Sequence, residues 1–147
     1  MNFPVFDLHC DTALALLGAD FSAQGRLRIN NFHIDLERAS KLGGYAQCFA
    51  CFTTDLWEGK SPVTAVQSFE RQIAQFQREM NNHPDKIAMA YSADDVEENY
   101  KKGLMSGILT IEGPAGFGFS PELLEMLLRK LKERGKPLVA VLIGGRP

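Results

Sequence analysis

Val5-Phe6-Asp7-Leu8-His9-Cys10-Asp11 lies almost at the N-terminus. It reads as a short buried strand, and it decides what fold to expect. Side chains alternate faces along a strand, so Asp7, His9 and Asp11 are expected on one face and Leu8 and Cys10 on the other. An imidazole and a carboxylate two residues apart can grip one divalent ion, because both are good zinc-type ligands. A surface strand with polar residues on its wet face would show the same letters.

A second acidic residue adds to the metal reading. Gly107-Ile108-Leu109-Thr110-Ile111-Glu112-Gly113 is apolar, β-branched and bounded by glycine, and its strand-like run ends in a carboxylate. A charge at the end of a buried strand is costly unless it is paired or coordinates a metal. In α/β barrels the carboxyl ends of the strands carry the chemistry. His9 and Asp11 end the first strand and Glu112 ends a later one. A glutamate that has merely reached solvent is the plain alternative.

The chain has 147 residues, 45% of them hydrophobic and 23% charged, an ordinary globular composition with room for a real core. A formal net charge of -2 gives no basic footprint for nucleic acid and no polybasic membrane anchor. No apolar stretch has the length of a transmembrane helix, and no signal-like segment precedes the first strand. A cytoplasmic location is the expectation. Cys48-Phe49-Ala50-Cys51 is formally a C-x-x-C, but it lies in a strand-like run where residues three apart face opposite ways. No second pair completes a four-thiolate zinc site. Buried, reduced cysteines are expected at Cys10, Cys48 and Cys51.

Strand and helix signals alternate along the chain. A first strand ends at Asp11, followed by a short apolar stretch, Ala13 to Leu17. Gly18 to Asn31 reads as a loop over a barrel mouth, and His33 to Ala39 as a helical turn. Tyr45 to Thr54 is a second strand and Asp55 to Lys60 a loop. Ser61 is a candidate cap with Pro62 at the first helical position. Val66, Phe69, Ile73 and Phe76 recur at helical spacing to about Asn81. Ile87 to Tyr91 is a third strand. A short acidic helix follows, opened by Ser92 and Asp95 and ending near Lys102. Met105 to Glu112 is a fourth strand. Gly113 to Gly118 is a glycine-rich loop without the lysine and serine of a phosphate-binding loop. Ser120 caps a helix to about Arg134, Gly135 stops it, and Leu138 to Ile143 is a fifth strand. The alternation predicts a parallel α/β sheet.

Three segments together resemble the membrane dipeptidase (renal dipeptidase) family of zinc peptidases. Phe6-Asp7-Leu8-His9-Cys10-Asp11-Thr12 is similar to the family's opening Asp-x-His-x-Asp strand. His33-Ile34-Asp35-Leu36 through Gly43-Gly44-Tyr45-Ala46-Gln47-Cys48-Phe49 is similar to its next helix and strand. Gly107 to Gly113 is similar to its strand ending in a bridging glutamate. The resemblance covers about residues 4 to 125. It implies an α/β fold, the N-terminal part of a (β/α)8 barrel with about four β/α units plus a fifth strand. Residues 1–147 would then form one incomplete barrel domain with an atypical tail, 126–147.

The resemblance also implies zinc-dependent hydrolysis of dipeptides. His9 and Asp11 would bind one zinc ion, and Glu112 would bridge two and act as the catalytic residue. His33 and Asp35 match the pattern but are not family metal ligands, and are read as structural. The family takes further histidines from its second half, whereas this sequence has no histidine after Glu112. His83, beside Pro84, is a poor substitute. At most one ion is therefore expected to be well held. The alternatives are an inactive fragment, natural or frame-shifted, and a barrel amidohydrolase acting on a non-peptide amide. An open barrel edge is expected to favour self-association.

Overall fold

Each paired strand runs parallel to its neighbour, as strands separated by helical crossovers must. A computed structural model describes residues 4–17, 27–53, 62–118, 120–133 and 140–142. In chain order its elements are β1 (Val5–Cys10), α1 (Thr12–Ala15), α2 (Leu36–Ala39), β2 (Tyr45–Phe52), α3 (Pro62–Asn82), β3 (Ile87–Met89), α4 (Ala93–Lys101), β4 (Met105–Glu112), α5 (Pro121–Glu133) and β5 (Ala140–Leu142). Single 3-10 turns lie at Ser40–Leu42 and Ala115–Phe117.

Local chemistry sets the ends of these elements. Ser92 caps α4 by accepting from the Asp95 N–H at 3.2 Å. The Asp95 carboxylate takes the Tyr91 N–H at 2.8 Å, which draws Tyr91 into the cap and helps end β3 at Met89, earlier than expected. Ser120 opens α5, its hydroxyl accepting from the Leu123 N–H at 3.2 Å. The expected loop residues 18–26 and 54–60, the Ser61 cap, the Gly135 stop and the flanks of the fifth strand lie outside the described residues.

The sheet order is β1-β2-β4-β3, with β5 also on β4. β2 and β4 pair in unbroken register from Ala46↔Ser106 to Phe52↔Glu112. On the far edge of β4, β3 pairs with the first half of the strand, Met105 to Gly107, and β5 with the second, Thr110 to Glu112. The third strand in sequence therefore does not separate β2 from β4. It is a short flank, and the run that carries the upper part of the sheet is β1-β2-β4-β5.

One buried cluster joins Phe49 and Cys51 of β2, Leu109 and Ile111 of β4, and the α3 stripe Phe69, Ile73, Phe76 and Met80. The α3 spacing of four, three and four residues is that of one helix face. A smaller cluster on the alternate positions of the same strands joins Cys48 and Ile108 to Ala90, with Val96 of α4 packed against it. The Phe49 and Phe76 rings meet at 4.5 Å between centroids and 43° between planes. Phe49 is fully buried. Phe49→Ala is expected to cost about 3–5 kcal/mol, a large share of the roughly 5–15 kcal/mol that holds a domain folded. A urea titration checks it through a fall in midpoint at unchanged slope.

β1 departs from its expected burial. Val5, Phe6 and Leu8 are 38%, 55% and 69% exposed, and only Cys10 is buried. Among the described residues β1 pairs with β2 alone. The strand forms an edge, and an apolar sequence cannot bury itself without a neighbour.

Candidate metal centre

The end of β1 is built on a register shift. Asp7 pairs with Gln47 and Cys10 with Phe49, so three steps along β1 match two along β2. The extra residue breaks the alternation and rotates the remainder of the strand. Asp7 keeps to the Gln47 side, where its Oδ2 lies 3.3 Å from the Tyr45 hydroxyl and its Oδ1 accepts the His9 backbone N–H at 3.0 Å. The His9 imidazole turns the other way. Its Nε2 lies 3.4 Å from Asp11 Oδ1 and 3.7 Å from Glu112 Oε2. The expectation that Asp7, His9 and Asp11 share one face is thus corrected: the shift separates Asp7 from the other two.

Glu112 arrives by a different route. It is the last residue of β4, held in register opposite Phe52. Gly113 follows at φ 78°, a left-handed conformation that turns the chain at once and that a side chain would strain. One donor atom each from His9, Asp11 and Glu112 lies within 4.8 Å of the others. The Glu112 side chain is 25% exposed, against 44% for His9 and 65% for Asp11.

One nitrogen and two carboxylate oxygens form a donor set suited to zinc, leaving a position for water. Donors about 2.0–2.2 Å from a tetrahedral zinc ion stand roughly 3.3–3.6 Å apart. The distances from His9 to Asp11 and to Glu112, 3.4 and 3.7 Å, are close to that spacing. Two convergent carboxylates repel each other unless a cation joins them.

The surroundings hold the triad in place. The Tyr45 hydroxyl lies 2.7 Å from Gln47 Oε1, and the Gln47 amide donates to the Cys48 carbonyl at 2.9 Å. Burial first, then the Asp7 carboxylate, pushes the Tyr45 phenol up, so it stays a protonated donor. Burial likewise raises Cys10 from 9.0 to about 11 and Cys51 to about 12, and moves Cys48 upward. All three cysteines are free and buried, and at neutral pH they are thiols, neither nucleophiles nor ready metal ligands.

A cavity of about 260 Å³ opens beside the triad, walled in part by Asp7, His9, Asp11, Thr12, Phe32 and His33. Asp35 has the structural role read from the sequence. It is buried, caps α2 through the Arg38 N–H at 2.8 Å, and pairs with Arg38 Nε at 2.6 Å. His33 differs, because the fold sets it on the cavity wall. Its place beside a metal motif more than twenty residues away has no local signal. His83 sits between α3 and β3, where the sheet begins, and β3 pairs with the first residues of β4, far from Glu112.

The family model for membrane dipeptidases, peptidase family M19, matches residues 1–137. The chain belongs to the membrane dipeptidase family. Its fold is the partial (β/α)8 barrel of that family's solved structures. The dipeptidase AC, a metallopeptidase, superposes with a TM-score of 0.73 at 17% identity, over 100% of this chain and 46% of its own. A metallopeptidase from Rhodobacter sphaeroides, solved with a phosphinate mimic of the dipeptide L-Ala-D-Ala, superposes at 0.74 with 16% identity, over 100% and 47%. The probable dipeptidase PvdM from Pseudomonas aeruginosa superposes at 0.64 with 15% identity, over 87% and 32%. This dipeptidase-family chain thus spans about half the length, or less, of these structures. No curated protein matches it. No described helix is long and apolar enough to cross a membrane.

Proposed function

We propose that this membrane dipeptidase-family chain carries one half of a zinc dipeptidase site, with His9, Asp11 and Glu112 as its metal ligands. The observation that supports the reading most is the meeting of these three donors, from the carboxyl ends of two strands, within 4.8 Å. Zinc bound there would supply an activated water near neutral pH and a polarised scissile carbonyl. His9 contributes the one neutral donor, kept in place by the Asp7 carboxylate on its backbone N–H. Glu112 is the most enclosed of the three. It holds negative charge where the attacking water loses its proton, and its two oxygens allow it to bridge to a second ion. In the reaction the water oxygen bonds to the carbonyl carbon, the C–N bond breaks, and the proton passes to the leaving amine.

A second ion needs further ligands, and the three histidines of this sequence all precede Glu112. We therefore take one ion as the most this chain holds well, and low activity by the chain alone as part of the reading. A barrel amidohydrolase acting on a non-peptide amide is the competing assignment. A panel of L,L- and L,D-dipeptides and non-peptide amides, offered with added zinc to the chain supplied with a family-like second half, separates the two. Zinc-dependent cleavage confined to the dipeptides is expected, and cleavage of the amides alone would overturn the assignment.

A further inference from the structure

The loop that carries His33 is clamped on both sides of it. The Asn30 side chain accepts from the Phe32 N–H at 2.8 Å and donates to the Ile34 carbonyl at 3.0 Å. The Arg38 guanidinium donates to the Phe32 carbonyl and is itself anchored on buried Asp35. The backbone is tied down, yet the imidazole of His33 is exposed. The other polar side chains of the cavity are engaged. Asp7 is taken by Tyr45 and the His9 N–H, His9 faces Asp11 and Glu112, and Thr12 bonds the Cys10 thiol. Among the described residues His33 has no hydrogen-bond or ion-pair partner. A donor held rigidly on a cavity wall, with its own valence unspent, is prepared for a ligand at little entropic cost.

We propose that His33 is a substrate-binding residue that fixes the free carboxylate of a dipeptide whose scissile carbonyl faces His9, Asp11 and Glu112. The inference rests on the zinc dipeptidase reading and adds the recognition of one end of the substrate. The cavity, about 260 Å³, is smaller than the roughly 300–1,000 Å³ that takes a drug-sized ligand. It suits a single amino-acid residue beyond the scissile bond. Ala15, Phe32 and Ile34 supply apolar wall for its side chain. The imidazole N–H supplies the one uncommitted donor for its charged end. Zinc bound to the triad would offset the negative charge of Asp11 and leave the cavity receptive to an anion. His33 thereby favours a free carboxyl group immediately after the scissile residue, which is what distinguishes a dipeptide from a longer chain.

Calorimetry on the zinc-loaded chain tests this, with a phosphinate mimic of L-Ala-D-Ala as probe and the same mimic carrying a C-terminal carboxamide as its control. Wild type is expected to favour the carboxylate form, and His33→Ala to weaken that form about tenfold and erase the preference, as loss of a hydrogen bond to a charged group does. His33→Gln, which keeps an N–H donor, should retain part of it. Zinc affinity should be unchanged in both variants. Equal affinity of His33→Ala and wild type for the carboxylate form would overturn the inference. So would an equal loss for both forms, which marks a merely structural residue. A wild-type chain that takes zinc but neither mimic would overturn it and leave the metal reading standing. A chain that takes no zinc would overturn both.

Discussion

Zinc titrated into the purified chain is expected to bind at one weak site, and His9→Ala to abolish it. Three donors on two strands can hold a single ion, with water completing the shell. They are 25% to 65% exposed, so water competes for the ion and affinity stays modest. His9 is the only nitrogen in the set, and its Nε2 lies within 3.7 Å of both carboxylates. Without it, two half-solvated carboxylates remain on separate strands. Losing a hydrogen-bond partner behind a ligand already costs about 10–100-fold in affinity, and losing the ligand itself should exceed that. Isothermal titration calorimetry measures both. Two tight sites per chain, or affinity unchanged by His9→Ala, would count decisively against the site.

Hydrolysis should differ even more sharply between the chain alone and the chain completed. Turnover needs the full metal shell and contacts to both ends of the substrate, and the described residues supply one trio of ligands. The isolated chain is expected to show little or no dipeptidase activity. It is also expected to self-associate, because Phe6 and Leu8 on the β1 edge are more than half exposed and an open edge is a template for pairing. Supplying a family-like second half, fused or co-expressed, should restore zinc-dependent hydrolysis and reduce association. Glu112→Gln removes the charge that would lie nearest both ion and water. It should lower the restored rate by more than the roughly hundredfold typical of perturbing a ligand's surroundings. Steady-state kinetics and size-exclusion chromatography measure the two effects. Robust turnover by the purified monomer alone would show that the half-site reading is wrong.

Local pattern carried the secondary structure well. β4 runs from Met105 to Glu112 as read, because a glycine-bounded, β-branched run has few other conformations. α3 runs from Pro62 to Asn82, where Phe69, Ile73 and Phe76 recur at helical spacing. The cysteines were legible too. Residues three apart on a strand face opposite ways, and Cys48 and Cys51 indeed enter different clusters.

The sequence by itself determined the parallel α/β class, the three donors His9, Asp11 and Glu112, and the want of a histidine beyond them, since each is written in residue type and spacing. Only the tertiary structure decided which residues meet. A register shift between Asp7 and Cys10 depends on how β1 lies against β2, and it sends Asp7 to Tyr45 while His9 reaches Glu112. The placing of β3 beside β4, the exposure of β1 and the arrival of His33 on the cavity wall likewise depend on strand pairing and on loops closed over long separations. Such contacts are set by packing between distant segments, and no window along the chain contains both partners.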